Sequence, residues 1–183
     1  MILGITGTNG AGKGTVVDLL VEEQKVAHFS VRDFLISEIE TRGLPNNRDS
    51  MRVVANDIRA KYHPSYIIEQ LFAQAEAAGG NALIESIRAV GEAEFLKAHG
   101  AKIVAVDADK PLRYERIVAR GTSTDRIDFE TFVAQEDKEM TSTDPANQNV
   151  SAVMAMADYL ILNNGSYEDL RAHVRDMGKN FGI

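Results

Sequence analysis

The chain has 183 residues, 44% of them hydrophobic and 26% charged, a composition that is ordinary for one globular domain with a sizeable core. Its formal net charge of −7 disfavours a bulk role on nucleic acid or on an anionic membrane surface, since those roles need basic fields. The sequence contains no cysteine, which excludes disulfides, thiol catalysis and zinc–thiolate sites.

A glycine-rich segment, residues 7–15, follows the first apolar run of the chain. Residues 2–5 predict a short buried strand, and residues 16–21 are typical of a helix that packs on a sheet. Strand, glycine-rich turn and helix, in this order, form a phosphate-binding P-loop, whose backbone amides and helix N-terminus attract anions. We therefore predict nucleotide binding, with Lys13 at the outer phosphates and Thr15 near a magnesium ion. The predicted loop residues are Gly7, Thr8, Asn9, Gly10, Ala11, Gly12, Lys13, Gly14 and Thr15.

The residue after Lys13 is Gly14, and Thr15 comes next, whereas the general pattern places Ser or Thr directly after the lysine. This GKGT ending resembles the adenylate kinase and nucleoside monophosphate kinase branch of the P-loop proteins. It argues against a GTPase, and the chain also lacks an N-K-x-D segment of the kind that recognises guanine.

The second predicted strand, residues 26–29, ends where a helix begins, which is where open α/β sheets place ligand contacts. Ser30 and Asp33 fall on the serine and the aspartate of the segment with which adenylate kinases receive the phosphate acceptor. Val31 and Arg32 do not match that segment. For Asp33 there is a structural alternative, because the helix dipole alone favours an acidic residue in a first turn.

Residues 31–79 are predicted to be helical and to form an acceptor-binding insert between the second and third strands. Arg52 and Arg59 share one face of the middle helix by their i, i+7 spacing, and such a pair could grip an acceptor phosphate. The alternative is that both are solvated surface charges.

Residues 81–88 are predicted to form the third strand and its exit. The strand ends in Glu85, a Walker-B-like carboxylate that could hold a magnesium-bound water, and Arg88 follows. This pair resembles the aspartate and arginine of adenylate kinases with the spacing one residue shorter, a version similar to an archaeal family related to dephospho-CoA kinases. The resemblance implies that Arg88 contacts the acceptor phosphate. Asp107, which ends the predicted fourth strand at residues 102–107, is a second candidate for the metal.

Arginines recur along the helix predicted after the fourth strand. Arg113, Arg116 and Arg120 fall on one face, where three like charges repel one another unless an anion lies between them. The array resembles the arginine-bearing lid of nucleoside monophosphate kinases, so residues 113–127 are predicted to form a short lid. Arg116 and Arg120 are predicted to close over the transferring phosphoryl group, with Arg113 and Arg126 as further candidates. The alternative is a basic solvent face.

The fifth predicted strand, residues 159–162, is followed by Asn163, Asn164 and Gly165. A strand that ends in N-x-G before the last helix is similar to dephospho-CoA kinases and their relatives, in which this loop lies against the adenine. The resemblance implies that Asn163 and Asn164 contact the base.

Five strands that alternate with helices predict an α/β fold with a parallel sheet, in a single domain over residues 1–183. The resemblance to the nucleoside monophosphate kinase group covers the whole chain. It implies a three-layer α/β/α P-loop fold with the strand order 2-3-1-4-5.

The predicted function is transfer of the γ-phosphoryl group of ATP, bound with Mg²⁺, to a small acceptor, in the first place a nucleoside monophosphate. One alternative is a hydroxyl acceptor, as in dephospho-CoA kinase, for which Asp33 would take the proton. Another is a nucleotide-binding regulatory module without kinase activity. The predicted catalytic residues are Lys13, Arg88, Arg116 and Arg120, and the predicted acceptor contacts are Ser30, Asp33, Arg52, Arg59 and Arg88.

Small-molecule substrates are the partners that the sequence predicts, with no nucleic acid and no membrane, and it leaves open whether the chain is a monomer or a dimer. A first strand that begins at residue 2 leaves no room for a signal peptide, and no apolar span is long enough to cross a membrane. We therefore expect a cytoplasmic protein.

Overall fold

The computed structural model describes residues 1–121, 127–144 and 147–183, and the side chain of Arg48 lies outside the described part. Within that part no helix combines the length and the apolar character that crossing a membrane requires. The strands and helices of the described residues are β1 (Ile2–Gly7), α1 (Lys13–Gln24), β2 (Ala27–Ser30), α2 (Val31–Thr41), α3 (Arg48–Lys61), α4 (Tyr66–Ala78), β3 (Ala82–Glu85), α5 (Val90–Ala98), β4 (Lys102–Asp107), α6 (Lys110–Arg120), α7 (Phe129–Met140), α8 (Val150–Ala155), β5 (Tyr159–Leu162) and α9 (Tyr167–Phe181).

The strands form one parallel sheet in the order β2-β3-β1-β4-β5, which confirms the predicted fold class and strand order. β1 lies at the centre, with Ile5 opposite Glu85 of β3 and Gly7 opposite Val106 of β4. Because parallel strands all end at the same edge, the loop after β1 and the ends of the other strands meet there.

Apolar side chains cover both faces of the sheet in two buried clusters. One joins Ile84 of β3 and Ile103 of β4 to helices α2, α3, α4, α5 and α8. The other joins Leu3 and Ile5 of β1 to α1 and α9. Because α2, α3 and α4 share one buried core with the sheet, these helices form a wall beside the ends of β2 and β3.

The third strand ends at Glu85, as the sequence predicts. The next residue, Ser86, has φ +69°, a left-handed conformation that a strand cannot continue through. Beyond it the N–H of Ile87 donates to the carbonyl of Ile5 at 3.0 Å. Arg88 therefore lies in a turn between β3 and α5.

The predicted lid, residues 113–127, is described only in part. α6 is continuous as far as Arg120 and ends on Gly121, which has φ +63°. Arg126 lies outside the described residues.

Candidate functional site

The loop between β1 and α1 curls around its own lysine. Nζ of Lys13 donates to the carbonyl oxygens of Gly7, at 2.8 Å, and of Thr8, at 2.6 Å. Gly10 and Gly12 take φ values of +81° and +96°, which residues with a Cβ rarely adopt. The chain therefore builds the compact glycine turn of a P-loop, directly followed by the N-terminus of α1.

Side chains from β4, α6 and the loop after β5 hold this turn in place. Thr8 Oγ1 donates to Asp107 Oδ1 at 2.5 Å, and Asn163 Nδ2 donates to the carbonyl of Ala11 at 2.8 Å. Arg113 donates to the carbonyl of Asn9 at 3.1 Å. Asn163 is 6% exposed, so its amide is part of the support of the loop, a contact that the sequence did not indicate.

A cavity of about 720 Å³ runs along this edge of the sheet. Of the predicted site residues it is lined by Asn9, Gly10, Gly12, Lys13, Gly14, Thr15, Arg52, Arg59, Glu85, Arg88, Arg116, Arg120 and Asn163. The predicted residues outside its lining are Gly7, Thr8, Ala11, Ser30, Asp33 and Asn164. Lining residues that the sequence did not single out for the site include Asp18, Arg32, Glu139, Gln148 and Tyr167.

The cavity is cationic although the chain as a whole is acidic. Among the described lining residues seven are Lys or Arg, and three are carboxylates: Asp18, Glu85 and Glu139. A recessed surface with this excess of positive charge concentrates anions. The lining therefore favours a ligand, or a pair of ligands, with several negative charges.

Glu85 stands at the end of β3 with two partners on β2. Ser30 Oγ donates to Glu85 Oε1 at 2.9 Å, and His28 Nε2 lies 3.5 Å from the same oxygen. The hydrogen bond with His28 lowers the pKa of Glu85, burial opposes this change, and the bond from Ser30 adds to it. The same contact raises the pKa of His28. Glu85 is therefore an ionised carboxylate in the cavity at neutral pH.

Oxygen ligands suited to Mg²⁺ line the cavity beside the P-loop. They are the hydroxyl of Thr15 and the carboxylates of Asp18 and Glu85. Asp107, the second candidate of the sequence, accepts hydrogen bonds from Thr8 and from the N–H of Ala108. Asp107 therefore serves the P-loop, whereas Glu85 is available to the cavity.

The four arginines at the acceptor end of the cavity differ in how they are paired. Arg59 is 2% exposed, and its Nε and NH2 donate to Glu92 Oε1 at 2.8 and 2.7 Å, so the surface-charge alternative is wrong for this residue. Arg88 donates to Glu139 at 2.5 Å. The NH2 group of Arg52 lies 3.5 Å from Oδ1 of Asp49.

Arg32 is the fourth of these arginines and the residue that departs from the adenylate kinase segment. It is solvent-exposed at the first turn of α2 and lines the cavity, and it makes no hydrogen bond or ion pair with any residue that the structure describes. Asp33, its neighbour, is also exposed but lies outside the lining. At this end of the cavity the first turn of α2 thus presents a cation rather than a carboxylate.

The arginines of α6 do not act as one array. Arg113 is 4% exposed, pairs closely with Glu136 of α7 and lies outside the cavity lining. Arg116 lines the cavity and donates to the carbonyl of Asn163 at 2.9 Å, and Arg120 lines it as well. The predicted repulsion among the three arginines is therefore relieved at Arg113 by the carboxylate of Glu136. Arg116 and Arg120 remain at the cavity.

Asn164 has a structural partner outside the cavity. Its Oδ1 accepts a hydrogen bond from the N–H of Asp109 at 2.8 Å, which ties the loop after β5 to the start of α6. Tyr167, a few residues further along, is 55% exposed and lines the cavity.

The profile of the AAA domain family (AAA_18) matches residues 3–144. The chain is 28% identical to the UPF0200 protein MMP1282 of Methanococcus maripaludis, an alignment that covers 98% of this chain and 95% of that protein. It is likewise 28% identical to a UPF0200 protein of Aeropyrum pernix, over 96% of this chain and 90% of the relative.

Solved structures of proteins described as a kinase or a putative kinase have the same fold. A shikimate kinase from Bacteroides thetaiotaomicron superposes with a TM-score of 0.60 at 12% identity, over 100% of this chain and 99% of that one. A putative kinase from Chloroflexus aurantiacus superposes with a TM-score of 0.56 at 17% identity, over 99% and 95%. The architecture is therefore that of the P-loop kinases.

Proposed function

The chain belongs to the AAA domain family of P-loop proteins, and we propose that it is an ATP-dependent phosphotransferase whose acceptor is a nucleoside monophosphate. The observation that carries this proposal is the cationic cavity described above. It extends from Lys13 in the P-loop to the arginines on the wall formed by α2 and α3. A donor and an acceptor that both carry phosphate groups match such a cavity.

The P-loop end is the place for the donor. Thr15, Asp18 and Glu85 are the residues that would hold Mg²⁺, which would neutralise part of the negative charge of the donor phosphates. Lys13 exchanges its bonds to the carbonyls of Gly7 and Thr8 for the outer phosphates.

The two arginines of α6 would supply the positive charge that phosphoryl transfer needs. Arg116 and Arg120 line the cavity and are assigned to the equatorial oxygens of the transferring group. The carbonyl of Asn163, which accepts from Arg116, fixes one of the two guanidinium groups beside the P-loop.

The wall opposite the P-loop is suited to a flat apolar group that ends in an anion. Val31, Leu35, Met51 and Ala55 give it an apolar surface. Arg32, Arg52 and Arg88 line the same cavity, at the first turn of α2, on α3 and after β3. A nucleoside places its base on the apolar surface and its phosphate among the arginines.

A phosphate acceptor is favoured over a hydroxyl acceptor by the placing of Asp33. A hydroxyl acceptor benefits from a carboxylate that takes its proton, whereas a phosphate already offers an ionised oxygen. Asp33 lies outside the cavity lining, and Arg32 stands in the lining at the same turn. The hydroxyl transfer of the dephospho-CoA kinases is therefore the second candidate.

Transfer of label from γ-labelled ATP tests the proposal directly. The purified chain is incubated with labelled Mg·ATP and AMP, CMP, GMP, UMP or dephospho-CoA, and the products are separated. We expect label in one or more nucleoside diphosphates and a sharp loss of it in the variant Arg88→Gln. Label in the dephospho-CoA product alone would replace this proposal with the hydroxyl acceptor, and ATP binding without any transfer would favour a regulatory module.

A further inference from the structure

A carboxylate outside the cavity lining, Glu92 of α5, joins two walls of the proposed acceptor site. The side chain is fully buried, with 0% exposure. Its Oε1 accepts two bonds from the guanidinium of Arg59 on α3, at 2.8 and 2.7 Å. Its Oε2 accepts the backbone N–H groups of Arg88, at 2.8 Å, and of Ala89, at 3.0 Å.

Capping of α5 alone does not explain this arrangement. A glutamate in the first turn can cap a helix with its carboxylate at the surface, where hydration is retained. Burial of Glu92 removes that hydration, and a buried charge is tolerated only with a partner and with its remaining lone pairs satisfied. Arg59 supplies the countercharge from another element, 33 residues earlier in the chain.

The consequence is a mechanical link between the wall helix α3 and the turn that carries Arg88. Arg59 donates in addition to Asn56 Oδ1 at 3.3 Å, so its guanidinium is also anchored on α3 itself. The guanidinium of Arg88 is oriented separately, by Glu139 at 2.5 Å and by Gln148 at 3.5 Å. Glu92 thus fixes the backbone of Arg88, and α7 directs its side chain.

We propose that Glu92 is a positioning residue for the phosphoryl acceptor, acting through the backbone of Arg88. This inference rests on the proposed function, because it gives Arg88 the acceptor phosphate as its target. The Arg59–Glu92 pair keeps Arg88 at a constant distance from the apolar surface on α2 and α3. An acceptor held by that surface then meets the guanidinium at the distance that transfer requires.

A double-mutant cycle between Glu92 and Arg88 tests the inference. The kinetic constants kcat and KM are measured for Mg·ATP and for whichever of AMP, CMP, GMP or UMP the wild type uses best. We expect Glu92→Gln to lower kcat/KM for the acceptor by about 10- to 100-fold and to change KM for ATP by less than about threefold. In an Arg88→Gln background the same substitution adds less than about threefold, because the residue through which Glu92 acts is already gone.

Two further variants separate positioning from stability. Glu94→Gln removes one carboxylate from the exposed face of the same helix and should leave both kinetic constants unchanged. Glu92→Gln leaves the buried cation of Arg59 unpaired, so Arg59→Gln/Glu92→Gln, with a neutral amide pair, is measured beside it. All rates are normalised to the folded fraction found by urea unfolding.

Wild-type acceptor kinetics in either folded Glu92 variant would overturn the inference. So would a loss that is as large in the Arg88→Gln background as in the wild type, since that result indicates a general structural effect. Failure of the proposed function looks different, because the wild-type chain itself would then transfer no phosphoryl group to any of the four monophosphates.

Discussion

Substitution of Gly12 by alanine probes the join between the P-loop and the loop after β5. Gly12 has φ +96°, and a Cβ built there would lie 2.4 Å from Nδ2 of Asn163, far inside van der Waals contact. That nitrogen is the one that donates to the carbonyl of Ala11. The added methyl group must therefore strain the backbone and also displace the amide that supports the loop.

The two costs can be estimated separately. An alanine in a left-handed conformation costs about 1–2 kcal/mol relative to glycine. Loss of the Asn163–Ala11 hydrogen bond costs about 0.5–1.5 kcal/mol. Together they lower the free energy of unfolding by about 1.5–3.5 kcal/mol, which for a chain of this size corresponds to about 3–14 °C in Tm.

Gly14→Ala is the matched control, two residues further on in α1. Its φ is not positive, and no atom lies within 4 Å of the built Cβ, so alanine there should leave Tm unchanged or raise it slightly. Thermal unfolding is measured for both variants without nucleotide. A Gly12→Ala variant as stable as Gly14→Ala would show that the loop relaxes away from Asn163 at no cost, and the support that we assign to this amide would be refuted.

Three further predictions follow from the site and its surroundings. Lys13→Met should weaken Mg·ATP binding by about 10- to 100-fold in isothermal calorimetry, because a charged hydrogen-bond donor to phosphate is lost. Unchanged affinity would show that Lys13 does not contact the nucleotide. Asp33→Asn should keep kcat/KM for a monophosphate acceptor within about threefold, since Asp33 lies outside the cavity lining, and a loss of several orders of magnitude would instead identify a general base. Glu136→Gln should lower the free energy of unfolding by about 3–5 kcal/mol at neutral pH, because it breaks a buried ion pair with Arg113. Burial raises the pKa of Glu136, but hydrogen bonds from Arg113 and Lys110 outweigh burial, so the pKa in the folded state lies below the ordinary value of 4.5. The ion pair therefore stabilises the fold fully above pH 4.5, and this stabilisation is lost as the pH falls through the folded-state pKa. The free energies of unfolding of the wild type and of Glu136→Gln are measured by urea unfolding between pH 3 and 7. A difference between them that does not become smaller in acid would contradict this assignment.

The P-loop and the sheet were predictable because their patterns are local. Four glycines and a lysine stand within nine consecutive positions, between a short apolar strand and a helix, and the element order then restricts the topology. The exit of β3 was less predictable. Ser86 adopts a left-handed conformation although it is not a glycine, so the sequence does not indicate the sharp turn that follows Glu85.

The pairing of the arginines could not be predicted, since each partner lies on a distant element. Arg59 and Arg113 lie on helices, as the sequence predicts, but the carboxylates that bind them follow 33 and 23 residues later. Only the tertiary fold brings Glu92 of α5 to Arg59 of α3, and Glu136 of α7 to Arg113 of α6. The same holds for Asn163, whose amide meets the carbonyl of Ala11 across 152 residues.

The most direct test of the central claim is an ADP-release assay with Mg·ATP, run with and without each of AMP, CMP, GMP and UMP. We expect slow release with ATP alone and a saturable increase with at least one monophosphate, an increase that is strongly reduced but still measurable in the variant Arg88→Gln. ADP release that no monophosphate accelerates, from a chain that binds Mg·ATP, would contradict the assignment of this cavity to a phosphorylated acceptor.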